Sequence, residues 1–266
     1  MLRRFWRILA CLSLIVMPIL PAGAEPQLDL ALVLAVDISS SMESEEQTLQ
    51  RTGFAEAFRS SLVHEVIRNG PAGRIAVTYV EWSGVKDQTI LVPWMVIDGP
   101  EKARSFADSL SGKPTRQAGM TSISAAIDFS RELFVDVGKI AARRVIDISG
   151  DGPNNIGAPV ETARNAAVRD GIVVNGLPIL IRPSPSVPHL DSYYAECVIG
   201  GPGSFVLPIH AADQFAMAIR RKLILEVSGA APMLQITPIA DEPVDCLRGE
   251  RDRRRYSDPY FPELDR

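Results

Sequence analysis

Leu28-Asp29-Leu30-Ala31-Leu32-Val33-Leu34-Ala35-Val36-Asp37-Ile38-Ser39-Ser40-Ser41 is the stretch that decides the fold. From Leu28 to Val36 it is apolar apart from Asp29, as a central strand covered on both faces should be. The strand then ends in one carboxylate, Asp37, and two hydroxyls at alternate positions, Ser39 and Ser41, on one short turn. Oxygen donors of this kind suit Mg²⁺ or Mn²⁺ and leave coordination positions for water or a partner's oxygen.

Outward from this strand, helical and extended patterns alternate. Glu43 to Arg68 has helical periodicity through Leu49, Phe54, Phe58, Leu62 and Val66, and Asn69-Gly70-Pro71 stops it. Arg74–Trp82 and Gln88–Ile97 read as strands joined by a short turn, which predicts an antiparallel hairpin. Helices are expected at 101–110, 121–135, 160–169 and 212–227, and further strands at 145–149, 172–181 and 204–209. This alternation predicts an α/β fold: a doubly wound, mostly parallel sheet with one antiparallel edge strand and helices on both faces. Beyond Ser228 the pattern dissolves into Pro and charge, with Met233, Leu234 and Ile236 available to pack the tail onto the body.

The first residues read as a secretory leader. Arg3, Arg4 and Arg7 precede the apolar run Ile8 to Leu20, and Ala22-Gly23-Ala24 offers a cleavage site. The division is therefore residues 1–24 signal peptide, 25–227 domain and 228–266 C-terminal tail. The general secretory route, a periplasmic location and no stable membrane insertion after cleavage are expected; an uncleaved anchor is the alternative. Because the leader holds three Arg and no acid, its removal takes the formal charge from −4 to −7. A mildly acidic chain without a dominant basic patch argues against nucleic acid as a partner. Cys197 and Cys246 would remain, either bridged in an oxidising compartment or as two thiols.

Ligands of an open α/β sheet bind at the carboxyl ends of the strands, where strand order reverses. Asp37 is at such an end, and two more segments can reach it: Gly119-Met120-Thr121 before a helix, and Ser149-Gly150-Asp151-Gly152 after a strand. Asp37-x-Ser39-x-Ser41, then Thr121, then Asp151 resembles the metal-ion-dependent adhesion site (MIDAS) of von Willebrand factor type A (VWA) domains. The resemblance spans about Leu28 to Val227; Gly200-Gly201-Pro202-Gly203 with Tyr193-Tyr194 further resembles a bacterial group of such domains. It implies a metal site of Asp37, Ser39, Ser41, Thr121 and Asp151 holding Mg²⁺ (or Mn²⁺ or Ca²⁺), completed by an Asp or Glu of a protein partner. It also implies that the helix at 212–227 shifts on ligation. Asp147, four residues before Asp151, is read as lying on a solvated edge. Met120 and Trp82 are read as packing residues, and the Pro-rich stretch after residue 181, with His189, Tyr193 and Tyr194, as either a binding rim or a spacer restrained by Cys197.

No enzyme is expected. The chain has no Gly-x-Ser-x-Gly elbow and no phosphate-binding loop, and His64, His189 and His210 are scattered. The competing readings are a metal-assisted hydrolase with Asp151 as base, and a structural envelope protein whose metal site stays empty. The oligomeric state is not legible.

Overall fold

The computed structural model describes residues 27–183, 187–230 and 243–256. The leader and the Met233, Leu234 and Ile236 contacts lie outside these residues. Strand β1 (Leu28–Asp37) is flanked by β2 (Ile75–Trp82) and β4 (Ala141–Gly150), both parallel to it. β3 (Gln88–Ile97) pairs antiparallel with β2, and β5 (Val173–Pro178) parallel with β4, giving the order β3-β2-β1-β4-β5. The doubly wound, mostly parallel sheet with one antiparallel edge is thus present.

Burial on both faces follows from the alternation within β1. Leu30, Leu32 and Leu34 point into a core with Phe54, Phe58 and Phe106, roofed by α1 (Ser44–Arg59), α2 (Ser61–Arg68), α3 (Pro100–Leu110) and α8 (Phe215–Ser228). Ala31, Val33 and Ala35 face the second core, under α4 (Ile123–Glu132), the short α5 (Phe134–Val137) and α6 (Val160–Arg169). Asp29, the charge inside the apolar run, is satisfied by the Ala72 and Arg74 amides at 2.8 and 3.3 Å.

Three expectations need correction. The helix read over 43–68 is two helices: Ser60 is extended (φ −71°, ψ 130°), and the phase resets, so Val63 and Ile67 are buried while Leu62 is exposed. The strand read at 204–209 does not form as a strand. Its residues run beside β5 with isolated bridges, Val206 to Gly176 and Ile209 to Ile179 just past the strand, and Pro208 is unable to donate to a ladder. Asp147 is on no solvated edge: it is 2% exposed and pairs with Lys222 of α8 at 2.9 Å.

The Lys222 ammonium also reaches Glu226 at 2.6 Å, so one buried cation serves two buried carboxylates. Burial first, then the charge of Glu226, pushes Asp147 from 3.8 up to about 7. Its folded pKa lies above the unfolded one, so the stability linked to it is complete below pH 3.8 and is lost as pH rises through about 7. Urea midpoints of the wild type should therefore fall between pH 5 and pH 8, and Asp147→Asn should flatten that slope. An unchanged slope would show that Asp147 is ionised throughout.

Candidate metal centre

The point where strand order reverses lies between β1 and β4, and Val36 pairs with Ser149 across it. Asp37 and Gly150 thus end two adjacent parallel strands side by side. Gly150 is required there: a Cβ would come within 2.8 Å of Asp37 Oδ2 and 3.0 Å of the Tyr194 hydroxyl.

Asp37 turns the chain onto itself, its Oδ1 accepting from the Ser39 amide at 2.7 Å. Ser39 and Ser41 hydroxyls are 3.1 Å apart, and Ser41 Oγ donates to Asp151 Oδ1 at 2.7 Å. Four of the five sequence-derived site residues are therefore linked directly. Thr121 is brought to the same end of the sheet by its backbone. Its N–H donates to Asn155 Oδ1 at 3.0 Å and its carbonyl accepts from Asn155 N–H at 2.8 Å, four residues past Asp151.

The loop that carries Thr121 is tied to the first turn as well. Ala118 N–H donates to Ile38 O at 2.9 Å, and the Gln117 side-chain amide donates to the carbonyls of Ser40 and Met42, each at 3.0 Å. Arg51 of α1 holds the loop's start through the carbonyls of Lys113 (2.6 Å) and Pro114 (3.0 Å) while pairing with buried Glu81 of β2. Met120, read as a packing residue, is instead exposed and left-handed (φ 69°), a conformation that costs a non-glycine residue energy. That turn delivers Thr121 to the head of α4.

The electrostatics at this point suit a positive charge. Asp37 is fully buried and its Oδ2 has no hydrogen-bond partner among the described residues. Burial, and then the charge of Asp151, hold Asp37 well above the usual carboxylate range, and burial raises Asp151. The nearby Tyr194 phenol is raised by burial and next by Asp37 and Asp151. Two carboxylates and two or three hydroxyls are a hard-oxygen set that suits a small divalent cation. Among the described residues no group of three or more His, Cys, Asp or Glu gathers at one point.

Several participants were missed in the sequence. Glu46 is pushed up to about 7 by burial and then by Asp151 and Glu45, so it lies within the field of the site. Arg182, at the foot of the Pro-rich stretch, pairs with Glu43 and with Glu46 (2.5 Å). The signal available was the Glu43-x-x-Glu46 spacing of a capping box, which the structure contains. Tyr193, in the short helix α7 (Leu190–Tyr193), and Tyr194 are buried core residues and not part of a rim. Trp82 is buried as expected.

Cys197, in the π-helical turn Tyr194–Val198, is bonded to Cys246, with 5.5 Å between their Cα atoms. This disulfide brings a last helix, α9 (Arg248–Tyr256), against the segment that follows Asp151. A cleft of about 490 Å³ lies between them, lined by Asn155, Ile156, Pro159, Leu247, Arg253 and Arg254. Among the described residues no helix is long and apolar enough to cross a membrane.

The chain belongs to the family described as "Protein of unknown function (DUF1194)", whose model matches residues 27–231. Its fold is that of von Willebrand factor type A domains. It is similar to the mussel byssus proximal thread matrix protein 1 in a form described as having a zinc-occupied MIDAS motif (16% identity, TM-score 0.53, 77% of this chain and 49% of that one). It is also similar to the pilus adhesin SpaC from Lactobacillus rhamnosus GG (14%, TM-score 0.57, 77% and 31%). A third similar structure is a von Willebrand factor type A protein from Catenulispora acidiphila (12%, TM-score 0.53, 75% and 43%). The chain spans about half the length of the thread matrix protein and less of the other two. No curated protein matches the sequence.

Proposed function

We propose that this member of the DUF1194 family is a divalent-cation-dependent protein-binding domain of the bacterial periplasm. The observation that carries the reading is the unpartnered, fully buried Asp37 Oδ2 beside Ser39, Ser41 and Asp151. In this reading Ser39, Ser41 and Thr121 offer hydroxyl oxygens to Mg²⁺, or to Mn²⁺ or Ca²⁺, and Asp37 and Asp151 supply the balancing charge. With only two acids among the five donors, the cation stays attractive to a further carboxylate, which a partner's Asp or Glu supplies. The adhesin and matrix-protein relatives share the fold, and the zinc-occupied relative makes a metal at this position reasonable.

The cleft beside Asn155 is where the partner's neighbouring residues would rest. The leader read in residues 1–24 and the Cys197–Cys246 disulfide both favour an oxidising compartment.

The test is calorimetric titration of residues 25–266, stripped with chelator, with Mg²⁺, Mn²⁺ and Ca²⁺, beside Thr121→Val. That substitution removes one donor oxygen and keeps the volume. Saturable binding to one site, weakened roughly tenfold or more by Thr121→Val, is expected. Heat signals identical in the two proteins would remove Thr121 from the site, and none in the wild type would remove the ion-dependent mechanism.

A further inference from the structure

We propose that α9, tethered by the Cys197–Cys246 bond, is a positioning element of the metal centre, so that ion affinity depends on this disulfide. The inference rests on the ion-binding reading above. Asn154 is the joint: it is fully buried three residues after Asp151 and immediately before Asn155, which holds both backbone groups of Thr121. Its side chain is used completely. Asn154 Oδ1 accepts from the Ser124 amide at the head of α4 (3.0 Å), and its Nδ2 donates to Ala158 O (3.1 Å) and to Glu250 Oε1 of α9 (2.7 Å).

A second link runs through Tyr193. Its hydroxyl accepts from the Asn154 amide at 3.2 Å and donates to Cys246 O at 3.4 Å, so one oxygen joins the metal loop to the tether. A third is steric. Any side chain at Gly249 would collide with the Asn154 carbonyl, which shows how closely α9 lies on the loop. Tyr193, Glu250 and Gly249 thus converge on Asn154, three residues past Asp151 and next to the residue that holds Thr121.

The helix cannot be expected to hold this position unaided. It has nine residues, five of them arginines, and isolated helices shorter than about 12 residues are marginal in water. Closing the 49-residue span between the cysteines covalently keeps α9 near the loop even when its polar contacts open. Without the bond, α9 leaves, Glu250 and Cys246 O are withdrawn, and the Asp151–Asn155 segment loses the part of its support that α9 supplies. Outer partners that orient ligating residues are worth roughly 10–100-fold in metal affinity.

The experiment titrates Mn²⁺ alone into residues 25–266 as the oxidised wild type, a Cys197→Ser/Cys246→Ser double variant, Gly249→Val, Glu250→Ala and Glu250→Gln. Amide hydrogen exchange of Thr121 and Asn155 is followed in parallel. Expected are a loss of about tenfold or more in Mn²⁺ affinity for the double variant and for Gly249→Val, and faster exchange at both amides. Glu250→Ala should lose less, and Glu250→Gln, which keeps an oxygen acceptor, should recover most of it. Should the double variant fail to fold, Gly249→Val and Glu250→Ala carry the test with the disulfide intact. Equal affinities across the disulfide-intact and disulfide-free proteins would overturn the proposal. If even the oxidised wild type binds no Mn²⁺, the ion-binding reading fails. The positioning role is then decided by exchange alone, unchanged protection at Thr121 and Asn155 overturning it.

Discussion

Lys222→Met is expected to lower the unfolding free energy by about 3–5 kcal/mol, the cost of breaking a buried ion pair by removing one partner. The Lys222 side chain is 2% exposed and lies between Asp147 of β4 and Glu226 on its own helix, with the Phe205 ring 4.6 Å beneath the ammonium. Glu226 additionally accepts from Asn175 Nδ2 of β5 at 3.2 Å. Removing the cation leaves two carboxylates facing each other in a site that water does not reach, and at least one must take up a proton. Methionine fills the volume of the lysine stem, so the loss reports charge and not a cavity. Adding Asp147→Asn and Glu226→Gln to Lys222→Met removes the stranded charges and should restore most of the stability. Urea unfolding checks both steps; a loss under about 1 kcal/mol for Lys222→Met alone would mean that the carboxylates already share a proton without it.

The same cluster bears on how the domain behaves when ligated. The family resemblance implies that the helix at 212–227 shifts on ligation. Here α8 is anchored to β4 at two levels. Asp147 holds Lys222, and Arg143 donates to the carbonyls of Glu226 (2.8 Å) and Val227 (2.6 Å) at the helix's C-terminal end. A slide of one turn, about 5.4 Å, would carry Lys222 out of reach of Asp147 and uncover the Arg143 contacts together. The packing against α1 is equally close, since a Cβ at Gly53 would meet Ile219 Cδ1 at 2.6 Å. These contacts oppose a sliding helix, and the segment after Asp151 is packed separately against α9.

What could be read from the sequence divides by the distance over which a residue finds its partner. The run ending in Asp37 was legible because burial on both faces and the oxygen-bearing turn are local properties, and the hairpin of β2 and β3 because its turn is short. Asp147 was misread because its partner is Lys222, 75 residues later, and nothing near Asp147 announces it. The break at Ser60 carries no Pro or Gly and exists because α2 must turn to bury Val63 and Ile67. Met120 is held left-handed by ties on both sides, Gln117 and Ala118 to the first turn and Thr121 to Asn155. No helix was legible past Cys246 because α9 has no apolar face, and the partners of this segment, Cys197 and Asn154, lie far away along the chain.

Asp37→Asn should separate the fold from the ion with opposite signs. Without a cation the variant is expected to be at least as stable as the wild type. The amide oxygen can still accept from the Ser39 amide, while the buried charge, and its repulsion by Asp151, are gone. With Mg²⁺ present the order reverses. A cation at a hundredfold excess over its Kd stabilises the native state by about 2.7 kcal/mol. For a domain of this size each kcal/mol is worth roughly 2–4 °C of Tm, so the wild type should gain roughly 5–10 °C. Asp37→Asn should gain nothing, because the charge that offsets the cation's own desolvation has been removed from the best-buried donor. Melting curves of both proteins with chelator and with Mg²⁺ decide the matter. A variant that still gains several degrees would place the ion elsewhere. A variant that melts well below the wild type under chelator would mean that Asp37 serves the fold first, leaving its unpartnered oxygen to be explained by packing.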